Sequence, residues 1–338
     1  MIDLLVAGGG PAGLATAIHG ARAGLEVVLI ERRAAPVDKA CGEGLMPHTL
    51  CELQGLGVDP AGRAFSGITY IDGRRSVTGR FDSGPGRGVR RTVLHEALWE
   101  AASKAGVRIE SGAAGAVQQD ADAVRCNGFR ARYLAAADGL HSPIRTSLGL
   151  AVPASGPRRW GIRRHYAVAP WSDCVEVYWS DDGEAYVTPV AENCVGVAVL
   201  TARRGGFNHH LESFPALREH VAERAHAPDL AAGPLRQRVR RRIAGRVLLV
   251  GDAAGYVDAL TGEGLGIAFG AAELLVDCIV KDRPADYDRR WRRMSRRYRM
   301  VTAGLVRATA FPSVRSRLVS AAASAPGVFT RAVNLLAE

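Results

Sequence analysis

The sequence has little of several features that mark particular classes of protein. Aromatic residues make up only 6% of its 338 residues, and charged residues 23% beside 47% hydrophobic ones. These proportions exclude disordered and fibrous proteins and are typical of a globular enzyme. The six cysteines form no CxxC pair and have no metal-ligand spacing, so neither a metal site nor a disulfide framework is predicted.

Long hydrophobic runs are also missing. No stretch of about 18 apolar residues is present, so no transmembrane helix is predicted. The apolar start, Ile2 to Ala7, has no basic residues before it and continues directly into glycines, which a secretory signal does not do. Together with the scattered cysteines, these absences predict a cytoplasmic protein.

Positive charge is in excess, with a net charge of +10. Such an excess favours an anionic cofactor, an acidic substrate, a membrane surface or nucleic acid. The densest basic run, residues 289–299, has its arginines at mixed helical spacing and fits a solvated helix face. No nucleic-acid-binding signature accompanies it, so nucleic acid is not predicted as a partner, whereas peripheral contact with a membrane stays open.

The order of secondary structure predicts an α/β fold with two lobes. Leu4 to Ala7, Gly13 to Ala23 and Glu26 to Ile30 indicate a βαβ unit, the start of a Rossmann-like lobe with a parallel sheet. Alternating residues between Arg158 and Leu200 predict an antiparallel sheet, and the chain after Val250 is mostly helical. The predicted boundaries are 1–64, 86–155 and 240–285 for the nucleotide lobe, 65–85 and 156–239 for the substrate lobe, and 286–338 for a C-terminal helical segment.

A glycine turn follows the first predicted strand. Gly8, Gly10 and Gly13, with Ala12 between them, let the chain turn tightly, let its N–H groups approach a pyrophosphate and let the next helix pack closely. Glu31 ends the second strand, where a carboxylate can accept the ribose hydroxyls of FAD or NAD. The turn and Glu31 together predict a dinucleotide site.

Two aspartates distinguish FAD from NAD. Asp138, followed by Gly139, and Asp252, preceded by Gly251, each stand at the C-terminal end of a buried strand, where open α/β sheets bind ligands. Asp252 can hydrogen-bond a polyol such as the ribityl chain of FAD. Each aspartate alone is more typical of a turn or helix cap, but both in this order after a glycine turn are far more specific.

At these three motifs the chain resembles the flavoprotein hydroxylase superfamily of the p-hydroxybenzoate hydroxylase type, and within it the geranylgeranyl reductase-like branch. The resemblance implies a glutathione reductase-like FAD lobe with an antiparallel substrate lobe above the flavin ring. It implies that Asp252 binds the ribityl chain and that Asp138 serves both FAD and transiently bound NAD(P)H. The other cofactor contacts that we predict are Arg32, Cys41, Gly42, Arg91, Ala114, Gly251, Gly262, Gly264, Leu265 and Gly266.

Three residues are candidates for chemistry. The segment from Lys39 to Pro47 resembles a flavin-contacting loop of the same branch, which makes Cys41 a candidate for the substrate side of the ring, whereas most lone cysteines are inert packing residues. Glu43 is either an acid or base near the flavin or a cap of the following turn. Tyr186 and Thr188 occupy the aromatic positions of a motif with which isoprenoid reductases grip a long chain. This departure suggests a smaller or more polar substrate. The sequence has no WxWxIP segment, which disfavours the halogenase branch of the superfamily.

The sequence therefore predicts an FAD-dependent oxidoreductase, monomeric or homodimeric, that acts on a small molecule. The first expectation is a monooxygenase that uses NAD(P)H to reduce its flavin. The alternative is a reductase of carbon–carbon double bonds, for which Cys41, Glu43 and Tyr186 are the candidate proton donors. A flavin-bound protein with little turnover is the third reading.

Overall fold

A computed structural model describes residues 1–73 and 75–337. The strands of this part of the chain are β1 Ile2–Ala7, β2 Val27–Glu31, β3 Gly44–Leu45, β4 Arg63–Phe65, β5 Gly67–Ile71, β6 Ser76–Arg80, β7 Gly86–Gly88, β8 Arg108–Ser111, β9 Gln118–Gln119, β10 Val124–Cys126, β11 Phe129–Ala136, β12 Ala151–Val152, β13 Trp160–Tyr166, β14 Val175–Ser180, β15 Gly183–Ala191, β16 Cys194–Thr201, β17 Leu230–Ala232, β18 Arg238–Val239, β19 Ile243–Ala244 and β20 Val247–Leu249. Its helices are α1 Pro11–Arg22, α2 Pro47–Gly55, α3 Arg91–Lys104, α4 Pro143–Ser147, α5 Phe207–Leu211, α6 Pro215–Val221, α7 Gly264–Val280, α8 Asp286–Met294, α9 Arg296–Thr309, α10 Pro312–Ser324 and α11 Pro326–Ala337.

The first sheet has the order β19-β20-β11-β1-β2-β8, with β10 and β9 attached beside β11. The pairs from β20 to β8 are parallel, with Leu5 opposite both Leu134 and Val28. Strands β1, β2 and β20 are almost entirely buried because helices α1, α3 and α7 cover the sheet. The carboxyl ends of β1, β2, β11 and β20 lie along one edge, where open α/β sheets bind ligands.

The second sheet has the order β17-β13-β16-β15-β14-β5-β6 and is antiparallel except between β14 and β5. A small sheet, β3-β7-β4, packs against β15 of the second sheet, and Gly88 of β7 is so close to Pro189 of β15 that a side chain there would overlap the Pro189 carbonyl. The predicted α/β fold, with a parallel-sheet lobe, an antiparallel sheet and a helical C-terminus, is confirmed.

The last three helices form a layer against the second sheet. Val306 of α9, Val319 of α10 and Phe329 of α11 are buried in one cluster with Val177 and Trp179 of β14. The hydrophobic faces of the three helices therefore turn toward the same sheet.

Helix α11 also covers the edge strand of that sheet. Asn334 donates from its amide nitrogen to the carbonyl of Arg80 at 2.9 Å and accepts from the N–H of Asp82 at 2.8 Å. Gly79 allows this approach, since a Cβ there would lie 2.9 Å from the side chain of Val333. The outer edge of β6 is thus partly occupied by a helix.

Sequence and structure agree on the elements and differ at their ends. Helix α1 begins at Pro11 rather than Gly13, because Gly10 already serves as its N-cap and proline is favoured in the first turn. Helix α7 begins at Gly264 and extends to Val280, beyond the predicted end at Leu275. The lobe boundaries stay predictions, and Arg74 and Glu338, which they include, lie outside the described residues.

Candidate functional site

The glycine turn after β1 adopts a backbone that side chains would block. Gly8 has a φ of 110°, and a Cβ there would lie 2.5 Å from the carbonyl oxygen of Ala137 in the neighbouring strand. A Cβ at Gly13 would overlap the carbonyl oxygen of Gly8. Both glycines are therefore required by the packing of α1 against the sheet.

Gly10 is different, because its open side faces no protein backbone. The nearest atom to a Cβ at Gly10 is Nη2 of Arg91, at 4.0 Å. Gly10 is the N-cap of α1, so the first N–H groups of that helix are directed toward the same space and lack partners within the helix. A helix N-terminus beside an arginine is a favourable place for a phosphate group.

Glu31, at the end of the neighbouring strand β2, holds the glycine turn by a hydrogen bond. Its carboxylate accepts from the N–H of Gly9 at 2.7 Å and from the N–H of Arg33 at 3.0 Å. Burial acts to raise the pKa of Glu31, but these two N–H groups outweigh it and hold the pKa below the usual value. Glu31 is thus an ionised acceptor at the end of β2, as binding to a ribose requires, while Arg32 beside it is exposed.

His95 supports the turn from helix α3 and had no assigned role in the sequence analysis. It is fully buried, its Nε2 lies 2.8 Å from the carbonyl oxygen of Gly9, and its ring stacks on Trp99. Since the carbonyl can only accept, Nε2 carries the proton. Burial lowers the pKa of His95, which keeps the ring neutral. The signal for it was its place one helical turn after Arg91.

Arg91 is a buried cation without a full set of partners. It is 8% exposed, and its Nε has no hydrogen-bond partner among residues 1–73 and 75–337. Burial lowers the pKa of Arg91, while the nearby Cys41 and Asp252 oppose that shift. A buried guanidinium with an unused donor above a glycine turn indicates an anionic ligand.

The two predicted aspartates lie at the ends of adjacent strands. Asp138 accepts from the N–H of Ile144 at 3.0 Å, while its other carboxyl oxygen is buried without a partner in the described chain, and burial raises its pKa. Asp252 forms a long ion pair with Lys39, 3.5 Å from Oδ2 to Nζ. Arg145 joins the two strand ends, since it donates to the carbonyls of Asp252 and Ala253.

Helix α7 begins beside Asp252. Gly251 packs so tightly on Ala12 that a Cβ there would lie 2.6 Å from the Cβ of Ala12. The N–H groups of Gly264, Leu265 and Gly266 are the first of α7 and have no carbonyl within the helix to bond. Their positive potential favours negative charge on a bound flavin. Gly262, with a φ of 72°, allows the turn before the helix.

Glu263 is an acid in this turn that the sequence analysis left without a role. It is 9% exposed, and its Oε1 has no partner in the described part of the chain. Burial raises the pKa of Glu263 to about 7, against a smaller opposing effect of Arg297. Its position between two glycines of the motif was the available signal.

A cavity of about 190 Å³ opens beside Asp252 and Gly264. It is lined in part by four arginines, Arg236, Arg238, Arg242 and Arg299. Arg242 is 5% exposed and lies over the ring of Trp291, with 3.5 Å between its Cζ and the ring centre. Its Nε has no hydrogen-bond partner in the part of the chain that the structure describes. Burial lowers its pKa to about 10 even though Asp288 opposes the shift. The cavity is strongly cationic.

The loop that carries Cys41 and Glu43 lies between the two lobes. Glu43 has a φ of 60°, unusual for a residue with a side chain, and is 2% exposed. Its Oε1 accepts from the N–H of Arg91 at 2.8 Å, and its Oε2 lies 2.6 Å from Nε2 of His165. Both oxygens are therefore occupied by structural partners. Glu43 bonds the first residue of α3 rather than the turn that follows it in the chain, and its role as an acid or base stays a prediction.

Cys41 faces the space around Arg91. Its Sγ accepts from the N–H of Glu43 at 3.4 Å, and burial raises its pKa although Arg91 opposes the shift. Burial raises the pKa of Tyr256 well above its ordinary value, and the nearby Asp252 and Cys41 add to that shift. The structure thus brings Cys41, Arg91 and Asp252 to one cleft.

Tyr186 and Thr188 approach this cleft from the second sheet. Tyr186 donates from its hydroxyl to the carbonyl of Leu260 at 2.8 Å, and Thr188 donates to the carbonyl of Gly42 at 2.8 Å. Each thus bonds to a predicted flavin-side segment. Ala114 is in the loop after β8, which Asn127 fixes through bonds to Ala113 and Gly115. The roles assigned to individual residues of the site stay predictions.

The residues fit FAD. The unpaired Nε of Arg91, the unpaired carboxyl oxygen of Asp138 and the open side of Gly10 all lie along the carboxyl edge of the first sheet. A model of the FAD binding domain matches residues 1–279. The chain belongs to the FAD binding domain family. Among the described residues, no group of three or more His, Cys, Asp or Glu is arranged to hold a metal ion, and no helix is long and apolar enough to cross a membrane.

Several curated proteins similar to this chain are named as reductases. The chain is 30% identical over 318 residues to a menaquinone reductase of Mycobacterium tuberculosis, covering 81% of this chain and 76% of that protein. It is 29% identical over 303 residues to digeranylgeranylglycerophospholipid reductase 1 of Methanothermobacter thermautotrophicus, covering 78% and 73%. The resemblance to the geranylgeranyl reductase-like branch is confirmed, and the protein is an FAD-dependent oxidoreductase.

Solved structures confirm the fold. A triple mutant of a flavin-dependent brominase matches with a TM-score of 0.83 at 16% identity, covering all of this chain and 95% of that one. A flavoprotein/dehydrogenase from Cytophaga hutchinsonii matches with a TM-score of 0.82 at 16% identity, covering 99% and 92%. At these identities the likeness concerns the fold alone.

Proposed function

We propose that this protein reduces a carbon–carbon double bond in an isoprenoid-derived substrate, with NAD(P)H as the reductant of its flavin. The relatives named as reductases support this reaction over oxygen insertion. We therefore place the reductase, the alternative in the sequence analysis, before the monooxygenase. The observation that carries the proposal at the site is Cys41, a protonated thiol in the cleft between Arg91 and Asp252.

Alkene reduction needs a hydride on one carbon and a proton on the other. Reduced FAD, when bound, supplies the hydride and with it both electrons, so that the alkene is reduced and the flavin oxidised. The chain must supply the proton. Cys41 is in the neutral form at physiological pH because burial raises its pKa, and its S–H proton has no acceptor among the described residues.

The other two candidate donors are less suitable. Both carboxylate oxygens of Glu43 are occupied by Arg91 and His165. The hydroxyl of Tyr186 donates to Leu260, and burial raises the pKa of Tyr186 well above its ordinary value. These contacts hold the two side chains in place, so we assign the proton transfer to Cys41.

The residues around the cleft and the adjacent cavity suggest the chemical class of the substrate. Tyr186 and Thr188, which replace an aromatic pair, leave fewer aromatic surfaces for a long chain, and the arginine-lined cavity beside Asp252 suits a carboxylate or phosphate. We therefore propose an alkene substrate that carries an anionic group. A monooxygenase is the second candidate, because the altered Tyr186 and Thr188 positions remove the isoprenoid-gripping motif.

Product analysis separates the two reactions. The holoprotein is reduced with dithionite in the absence of oxygen and incubated with geranylgeranyl phosphate. The mass of the product is then measured by mass spectrometry. We expect a gain of two hydrogen atoms, lost in Cys41→Ala but partly kept in Cys41→Ser. A product that forms only with oxygen and contains an added oxygen atom would establish the monooxygenase instead.

A further inference from the structure

The net positive charge of the sequence comes from its last fifty residues. Residues 289–338 contain eleven of the 44 basic residues and one of the 34 acidic ones. The preceding 288 residues therefore hold thirty-three of each sign and are neutral as a group. From Arg289 to Ala337 there is no acidic side chain at all, so the excess of charge belongs to the C-terminal helices.

These helices share an outer surface. Because Val306, Val319 and Phe329 all turn inward to the cluster on β14, the opposite faces of α9, α10 and α11 turn outward together. The layer stands next to the cofactor loop, since the hydroxyl of Tyr298 donates to the carbonyl of Asp258 at 3.1 Å and Thr302 bonds Thr261 at 2.9 Å.

The outer surface is apolar as well as basic. Seven of the nine exposed large hydrophobic side chains of the described residues lie between Met294 and Leu335. They include Met300 at 59% exposure, Phe311 at 63%, Val328 at 67% and Leu335 at 54%. Such a concentration of exposed apolar side chains marks an interaction surface.

Arginines and apolar residues are interleaved on each helix. The exposed side chains include Met300 and Arg307 on α9 and Val314 and Arg317 on α10. On α11, Val328, Arg331 and Leu335 are exposed at spacings of three and four residues. The side chains of Arg296, Arg307 and Arg331 are exposed. Apolar side chains with surrounding arginines are typical of helices that lie in the surface of a membrane.

We propose that the outer face of α9, α10 and α11 docks on a bilayer that contains anionic phospholipid. Arginines are attracted to the lipid phosphates, and Phe311, Val328 and Leu335 enter the boundary between head groups and acyl chains. A second copy of the chain is a poor partner for this face, because it would bring the seven arginines of α9, α10 and α11 against the same seven. The proposal does not depend on which reaction the flavin carries out.

Flotation with vesicles tests the proposal. The holoprotein is mixed with vesicles of phosphatidylcholine alone or with about one third phosphatidylglycerol, a charge density near that of a natural anionic surface. We expect binding to the anionic vesicles only. Arg296→Gln, Arg307→Gln and Arg331→Gln together should weaken it on the order of a hundred-fold, since each arginine contributes roughly five-fold. Phe311→Ser with Val328→Ser should weaken it by about ten-fold or more.

Matched controls change the same residue types elsewhere. Arg130→Gln with Arg224→Gln removes exposed charge outside the helical layer, and Val280→Ser removes an exposed apolar side chain at the end of α7. These variants should bind vesicles as the parent does. Absence of vesicle binding, equal loss in the controls, or self-association through this face would overturn the proposal, while flavin content and product formation report separately on the reaction.

Discussion

Glu43 and His165 hold the two lobes together through a buried hydrogen bond of 2.6 Å between Oε2 and Nε2. Arg163 donates to the other ring nitrogen of His165 at 2.9 Å, so that nitrogen accepts and Nε2 carries the proton toward the carboxylate. Arg163 also pairs with Asp38 in the same loop. The loop that carries Cys41 is thus fixed to the substrate sheet by a connected set of charges.

Removing the Glu43 carboxylate should destabilise the protein. Glu43→Ala leaves the N–H of Arg91 and the Nε2–H of His165 without their acceptor and removes an ion-pair partner 4.0 Å from the buried Arg163. We expect a loss of about 3 to 5 kcal/mol in the free energy of unfolding, measured in urea. Glu43→Gln keeps an oxygen for Arg91 and should retain both flavin and turnover. If Glu43→Gln bound flavin normally but were inactive, Glu43 would be the acid or base after all.

Two glycines of the same turn should respond differently to alanine. Gly13→Ala forces a methyl group into the carbonyl of Gly8 and should prevent stable folding. Gly10→Ala has free space within the protein and an ordinary φ of −72°, so it should fold normally yet lose FAD, because the methyl group occupies the place of the pyrophosphate. Circular dichroism and the flavin-to-protein absorbance ratio measure both effects. Normal flavin content in Gly10→Ala would move the pyrophosphate elsewhere.

Asp252 should be needed for the cofactor but not for the fold. Its carboxylate is partly exposed and, among residues 1–73 and 75–337, pairs only with Lys39 at a long distance. Asp252→Ala should therefore change the melting temperature of the flavin-free protein by little. We expect it to elute from gel filtration without FAD, whereas Cys41→Ala keeps its flavin. Stoichiometric flavin in Asp252→Ala would show that this aspartate does not bind the ribityl chain.

Glu263 should make stability depend on pH near neutrality. The folded protein raises the pKa of Glu263 to about 7, so the folded state binds more protons than the unfolded one between about pH 4.5 and 7, and stability falls as the pH rises through that range. Glu263→Gln removes this loss. The variant should match the parent near pH 5 and exceed it by about 2 to 3 kcal/mol near pH 8. Parallel pH profiles for the two proteins would place the titration elsewhere.

The nucleotide lobe was readily predicted because its signals are local. The spacing of Gly8, Gly10 and Gly13 after a buried strand, and Glu31 at the end of the next one, correspond directly to backbone geometry in the structure. The alternating pattern around Val175 and Val195 likewise predicted the antiparallel sheet.

Residues that act through the tertiary structure were harder to predict. The pairing of Glu43 with His165 joins positions 122 residues apart, and no local pattern indicates it. The support of the glycine turn by His95 depends on how α3 packs against α1, the helix that follows the turn. Burial raises the pKa of Glu263, and the turn that holds Glu263 is bonded to α9, a later helix of the chain, through Thr261 and Thr302.

The amide of Asn334 has a consequence for how the protein behaves in concentrated solution. By bonding the carbonyl of Arg80 and the N–H of Asp82, it occupies two backbone groups at the end of β6, the outermost strand of the second sheet. Without α11, β6 would present free N–H and carbonyl groups to any neighbouring molecule, which is the starting point for sheet-to-sheet aggregation. Helix α11 therefore protects the folded protein against polymerisation through the β6 edge of the second sheet.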